Sequence, residues 1–358
     1  MILNRIEKLR TKILENNIDL MLILNPKNIF YFTSYFPHAT AFLFVNGDKK
    51  ELIVPSLEYD DARTKADKLE VVQMESNKKL LEILTDYLIK QDKFNIGIEE
   101  DYITFIYTEH IKSKLKDLKL KPANKLISEL RTEKSKKEIS LLQKAASITD
   151  AAMKVALDSI EIGIMESEIA ANLEYEMKKK GAQGPAFDTI VASGPNSALP
   201  HATISKRKIR KNEIILVDIG ACYEGYCNDM TRTVFLGTPS EKDKKFYDTI
   251  IKAKKAGEGS YEFGMLGKKL DELPRNIIEK DLHCEFIHSL GHGVGIEVHE
   301  SPSIGPTSEE MLTTGNVFTI EPAVYEFDHG GVRLEDTYYV SQNKKLISLN
   351  KFPFQFEI

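Results

Sequence analysis

The spacing of apolar and polar positions changes several times along this chain, and each change marks a new element. Ile2, Ile6, Leu9 and Ile13 recur at helical spacing in a charged stretch, which predicts an amphipathic helix over residues 2–16. The run Leu20-Met21-Leu22-Ile23-Leu24 is short and unbroken, as in a buried strand, and Asn25-Pro26-Lys27-Asn28 ends it. Residues 41–45 and 51–54 are apolar again, with the hairpin signal Asn46-Gly47-Asp48 between them. Ser76 is placed to cap a helix with Leu80, Leu84 and Leu88 on one face, and residues 94–98 alternate as a strand. Together these predict a compact α/β domain whose residue types carry no chemistry of their own.

The charged residues 131–138 predict a change of domain. Ser135 and Glu138 fit a capping box. Ile139, Leu142, Ala146, Met153, Ala156 and Ile160 then predict a long helix lying on a sheet. A second helix, Glu166 to Lys180, closes with three lysines and Gly181, as the helix dipole and the C-cap favour. Strand-like and turn-rich sequence follows Phe187.

Within it, the segment Glu213 to Leu236 reads as two apolar strands joined at Tyr223-Glu224-Gly225, with Asp218 and Asp229 on either side of the turn. Val317 to Val340 repeats the plan, with Glu321 and Glu335 equidistant from Asp328. A hairpin sets such residues opposite one another, roughly 5 Å apart at Cβ. At ~4 Å and an effective dielectric near 20, each carboxylate pair costs about 4 kcal/mol. Either protonation or a bound cation must relieve this, and the neutral imidazole of His292, in Gly291-His292-Gly293, favours a cation. Four carboxylates and one imidazole suit two divalent ions of the Mn²⁺, Co²⁺, Fe²⁺ or Zn²⁺ type. Paired ions of this kind are hydrolytic machinery. The glycines around His292 lack the full spacing of a phosphate loop after a strand.

Composition narrows the setting. With 358 residues, two domains are expected, and 42% apolar and 29% charged residues match an ordinary globular chain. The net charge of −5 argues against nucleic acid as the main partner, and no apolar run reaches the ~20 residues of a membrane span. The three cysteines, Cys222, Cys227 and Cys284, fit reduced thiols and a cytoplasmic setting, and none has the spacing of a thiolate zinc site.

The run Asp218-Ile219-Gly220-Ala221, then Gly225 to Thr233, resembles the pita-bread metallopeptidases. Phe286 to Gly295 with Glu297-Val298-His299-Glu300 resembles their histidine region, and Glu321-Pro322 and Gly331 to Asp336 their two glutamate motifs. The likeness spans roughly residues 125–350 and is nearest to the Xaa-Pro peptidase branch, prolidase and aminopeptidase P. It implies a creatinase-like α/β domain over 1–124 and a catalytic domain over 125–358 with a curved, pseudo-two-fold antiparallel sheet covered by helices, α+β overall.

The resemblance also implies roles. Asp218 would hold one metal ion, Asp229 and Glu335 would bridge both, and His292 and Glu321 would hold the second. Glu321 would also move the proton from the attacking water to the leaving nitrogen. His201 would sit near the scissile amide, and His299 would donate to its carbonyl oxygen. His288 would line the proline pocket, and His38 would reach into the pocket of a neighbouring subunit in a homodimer. Arg333, grouped with the substrate side, shares a strand face with Glu335, which predicts an ion pair between them.

Two positions depart from the family pattern: Ala323 replaces the usual glycine after Glu321-Pro322, and Ser303 stands where some prolidases grip a dipeptide's carboxylate with arginine. Dipeptides and longer Xaa-Pro peptides therefore both stay open as substrates. The alternatives are metal-free, creatinase-like C–N hydrolysis and a non-catalytic binding module. Both are expected to lack ligands that this chain retains.

Overall fold

The computed structural model describes residues 2–75, 77–91 and 94–358; the expected cap Ser76 lies outside them. The chain divides into two compact units, one ending at Arg131 and the other Thr132–Ile358. The division falls at the last residue of the helix Asn124–Thr132. The Tyr31 hydroxyl donates to the Leu130 carbonyl at 2.7 Å, and Arg131 donates to the Asn28 side chain at 2.8 Å, so this helix is tied to the first unit.

The first unit is built on a six-stranded sheet. Its order is Glu70–Gln73, Lys50–Val54, Phe42–Asn46, Leu20–Ile23, Asn95–Ile98, Lys119–Pro122. The hairpin expected at Asn46-Gly47-Asp48 forms, because the Asn46 side chain accepts from the N–H groups of Asp48 and Lys49 at 2.8 and 2.7 Å. Ile6, Leu9 and Ile13 are the buried face of the first helix, Ile2–Glu15.

The second unit repeats one plan: two packed helices, then a hairpin. The helix Lys136–Asp158 opens with the expected capping box and packs with Glu166–Lys179. Its Ile148, Ala152, Met153 and Ala156 meet Ile215, Val217, Ile219 and Val234 of the first hairpin in one core, the helix-on-sheet packing that the pattern predicts. The helices Glu241–Ser260 and Gly267–Leu282 pack together, and Ile250, Ala253, Leu270 and Ile278 share a second core with Phe318 and Ile320 of the second hairpin. Burial of these apolar faces, at roughly 25 cal/mol per Å², is what holds each helix pair on its strands.

The first hairpin pairs Glu213–Ile219 with Met230–Leu236, breaks, and resumes as Ala221–Tyr223 with Tyr226–Cys227. Its register corrects the sequence reading: Asp218 faces Thr231, not Asp229, so the two acids are diagonal neighbours. The turn is the two-residue loop Glu224-Gly225, with φ of 46° and 79°, and Tyr223 pairs with Tyr226 beside it. The break lies at Gly220, where a Cβ would sit 1.9 Å from the Asn228 carbonyl oxygen, so only glycine lets the strands approach this closely.

The second hairpin pairs Val317–Ile320 with Asp336–Val340, breaks, and resumes as Ala323–Glu326 with Gly330–Arg333. Ile320 faces Asp336 and Ala323 faces Arg333, so Glu321 and Glu335 stand level in the break, as the spacing around Asp328 predicts. Among the described residues no helix is long and apolar enough to cross a membrane.

Candidate active site

Both breaks open into one cavity of about 1110 Å³, lined by Asp218, Asp229, His292, Glu321 and Glu335 together with His201, His288, His299 and Arg333. The backbone fixes each acid. Asp218 ends an apolar run inside a strand flanked on both sides. The Asp229 N–H donates to the Thr337 hydroxyl at 3.2 Å, and that hydroxyl donates back to the Asp229 carbonyl at 2.8 Å. The Glu335 N–H donates to the Thr231 carbonyl at 3.1 Å, and the Glu321 N–H to the Leu290 carbonyl at 2.8 Å. His292 sits on the short strand Gly291–Gly293, its N–H on the Thr319 hydroxyl at 3.1 Å.

The acids differ in what meets them. Arg333 donates to one Asp218 oxygen, and its guanidinium is aimed there by the Thr231 hydroxyl on Nε at 3.0 Å and the Tyr325 hydroxyl on Nη1 at 2.6 Å. This corrects the expected Arg333–Glu335 pair. The strand ends at Arg333, and the guanidinium turns across to the first hairpin. His292 Nε2 lies 3.2 Å from Glu321 and 3.6 Å from Asp229. Glu335 accepts from the Thr231 hydroxyl at 2.6 Å through one oxygen only. One buried oxygen on each of Asp218, Asp229 and Glu335 meets no donor.

Burial, and then the charges of Glu335, Asp218 and Glu321, push the Asp229 carboxyl well above its ordinary range. Glu335 is likewise pushed well up, by burial and then by Glu321 and Asp218. Burial raises Asp218 too, although Arg333 opposes it. Burial alone would raise Glu321 and lower His292. Their mutual hydrogen bond and opposite charges win, holding Glu321 to about 2 and lifting His292 to about 9.

A site with unpartnered buried carboxylate oxygens beside an imidazole fits a hard or borderline divalent cation. Ligand atoms of Asp229, His292 and Glu335 lie within 4.8 Å of one another.

The segment 140–342 matches metallopeptidase family M24, and residues 5–132 match the creatinase/prolidase N-terminal domain. The chain belongs to metallopeptidase family M24. Its fold is the creatinase-type domain followed by the pita-bread domain, as the sequence motifs imply. The chain is 40% identical over 340 residues, 95% of each protein, to an Xaa-Pro dipeptidase of Pyrococcus furiosus. It superimposes with a TM-score of 0.92 on a prolidase from Pyrococcus horikoshii, 36% identical and 99% covered on both sides. An X-Pro aminopeptidase from Thermotoga maritima gives 0.86 at 32% identity, with 96% of this chain and 98% of that one covered. Family membership means divalent metal ions, which the donor set accommodates.

Several supports of this M24 site escaped the sequence reading. The Tyr325 hydroxyl links Arg333 to His288, whose Nε2 lies 3.4 Å away. The Thr231 hydroxyl serves both Arg333 and Glu335. Each lies at an even separation from a site acid, Asp229 or Glu321, so the period of two was the available signal. His299 stacks edge-on with His292 at 4.1 Å between ring centres, and burial lowers its pKa. Burial lowers that of His288 as well. Ser303 also lines the cavity. His38 belongs to the first unit and is exposed, its N–H donating to Glu58 at 3.2 Å.

Proposed function

We propose that this protein hydrolyses the peptide bond before proline in short peptides, using two divalent metal ions. The observation that carries this is the set of three buried carboxylate oxygens without donors around His292 in a peptide-sized cavity. The names of the relatives supply the substrate class. Proline fixes φ and lacks an amide hydrogen, so the bond before it calls for a dedicated pocket.

Asp218, Asp229, His292, Glu321 and Glu335 are the proposed ligands. Bound there, Mn²⁺ or Co²⁺ (or Zn²⁺ or Fe²⁺) would supply Lewis-acid polarisation and a water of lowered pKa. Glu321, held ionised, would take the proton of the attacking water and deliver it to the leaving nitrogen. His299 would donate to the carbonyl oxygen as its charge develops. His201, on the same cavity wall, would hold the scissile amide. His288, between Phe286 and Tyr325, would pack on the proline ring. Arg333 would keep the substrate wall in place through Tyr325. We further propose a cytoplasmic homodimer in which His38 reaches the neighbour's pocket.

The test is an activity panel of Xaa-Pro dipeptides, Xaa-Pro tripeptides and Met-starting peptides, with chelator and with Mn²⁺. Turnover of Xaa-Pro peptides that chelator abolishes and Mn²⁺ restores is expected, and the dipeptide-to-tripeptide ratio assigns the subclass. Chelator-resistant turnover, or cleavage of the Met-starting peptides alone, would overturn the reading.

A further inference from the structure

Beyond the metal site, the first hairpin carries a second reactive pair. Cys222 and Cys227 are directly opposed across its outer ladder, next to the two-residue turn. Their peptide groups face away from each other: the Cys222 carbonyl accepts from Gln183, and the Cys227 N–H donates to Gly295 at 2.7 Å. The adjacent pair, Ala221 and Asn228, carries the ladder hydrogen bond instead. Cys222 and Cys227 are thus a non-hydrogen-bonded antiparallel pair, in which the Cα atoms approach to about 4.5 Å and both side chains leave the same face. That separation falls within the range that a disulfide spans.

We propose that Cys222 and Cys227 are a disulfide-forming site, oxidised by small disulfides of the glutathione class, and that the bridge lowers turnover. The chemistry is two successive exchanges. Cys222, the more accessible, attacks one sulfur of the small disulfide and releases one thiol. Cys227 then attacks the mixed disulfide and releases the second. Two protein thiols are oxidised, one disulfide is reduced, and both protons leave on the released thiols.

The link to turnover is local. The Cys227 sulfur now donates to the Ile296 carbonyl at 3.5 Å. With the neighbouring N–H bond to Gly295, this makes two ties between the hairpin and the segment that follows His292. Bridging draws the sulfur toward Cys222 and removes one tie, two residues from Asp229. The turnover part rests on the Xaa-Pro peptidase reading, whereas the bridge itself does not.

The experiment incubates the metal-loaded protein with oxidised glutathione, counts thiols after denaturation, records the intact mass, and measures Xaa-Pro turnover before and after dithiothreitol. Three thiols falling to one (Cys284), with a loss of two hydrogens and no glutathione adduct, is expected, together with a several-fold drop in kcat/KM that dithiothreitol reverses. Cys222→Ser should stop at a glutathione adduct or stay unmodified, and Cys284→Ser should behave as the parent. Three thiols retained, or an adduct on the parent that never resolves, overturns the site. A bridge with unchanged turnover overturns its effect. Absence of turnover in the reduced, metal-loaded protein strikes at the peptidase reading and leaves the thiol count to decide the bridge.

Discussion

The two hairpins of the second unit differ in where the turn is centred between their acids, and that centring decides what faces what. The first turns on two residues, Glu224-Gly225, and staggers Asp218 against Asp229. The second turns on three, Phe327 to His329, with Asp328 in the left-handed region at φ 61°, and sets Glu321 level with Glu335. Each hairpin also completes the other. Arg333 of the second meets Asp218 of the first, and Thr231 of the first meets Glu335 of the second. Asp229 and Glu335 get the least: the structure gives neither a cationic side chain of its own at hydrogen-bonding distance, and each keeps a bare oxygen. The acids left bare in this exchange are the ones on which the proposed metal site leans most.

The largest expected effect follows from that asymmetry. Asp229→Asn should lower kcat/KM on an Xaa-Pro peptide by about ten-thousand-fold or more, ~5.5 kcal/mol, with loss of bound metal. Without metal the sign reverses, because Asn cannot add charge beside Glu335. The carboxyls of Asp229 and Glu335 titrate well above their ordinary values of 3.8 and 4.5 in the folded state. Protons are then bound more tightly folded than unfolded. The stability these groups contribute is present below pH ~4 and is lost as pH rises toward their folded values. Chelated parent protein should therefore lose melting temperature from about pH 4 upward, and chelated Asp229→Asn should lose less and melt higher at pH 7. Equal melting profiles would mean that the two acids do not repel.

Arg333→Gln tests the other side of the comparison. It leaves the buried Asp218 carboxylate unpaired and should destabilise the fold by about 3–5 kcal/mol in urea denaturation. Arg333→Lys should recover only part of this, since an ammonium cannot reach Asp218, Thr231 and Tyr325 at once. Full recovery by lysine would reduce the guanidinium to a point charge.

These contrasts also mark how far the sequence was legible. Apolar runs that end in an acid mark Asp218 and Glu321, because burial of a run constrains its last residue, and Asp229 and Glu335 follow from their places across the two turns. The second register is readable because Asp328 centres a symmetric loop and Gly330 follows it at the start of the returning strand. The first is off by two residues, because Asp218 and Asp229 are not symmetric about the turn, which centres on Glu224-Gly225 with Tyr223 paired to Tyr226. Arg333 was assigned to Glu335 because periodicity speaks only within a strand, whereas its partner Asp218 is 115 positions away and comes near only through packing. Tyr325 and Thr231 were passed over because neither type signals chemistry alone.

The smallest effect is expected at Thr231, the residue through which the hairpins share support. Its hydroxyl donates to Glu335 and receives from Arg333, so Thr231→Val keeps the shape and removes both bonds. Hydrogen bonds to charged groups contribute about 1.5–3 kcal/mol each, but Arg333 keeps its other partners. A net loss of about 2 kcal/mol in urea is expected, with metal affinity weakened roughly tenfold through Glu335. Thr337→Val is the matched control, because its hydroxyl holds only the backbone of Asp229. If the two valines weaken metal binding equally, Thr231 is one strand residue among others and the cross-supply between hairpins has no energetic content. If Thr231→Val weakens it and Thr337→Val costs stability alone, the side-chain exchange between the hairpins is what shapes the site.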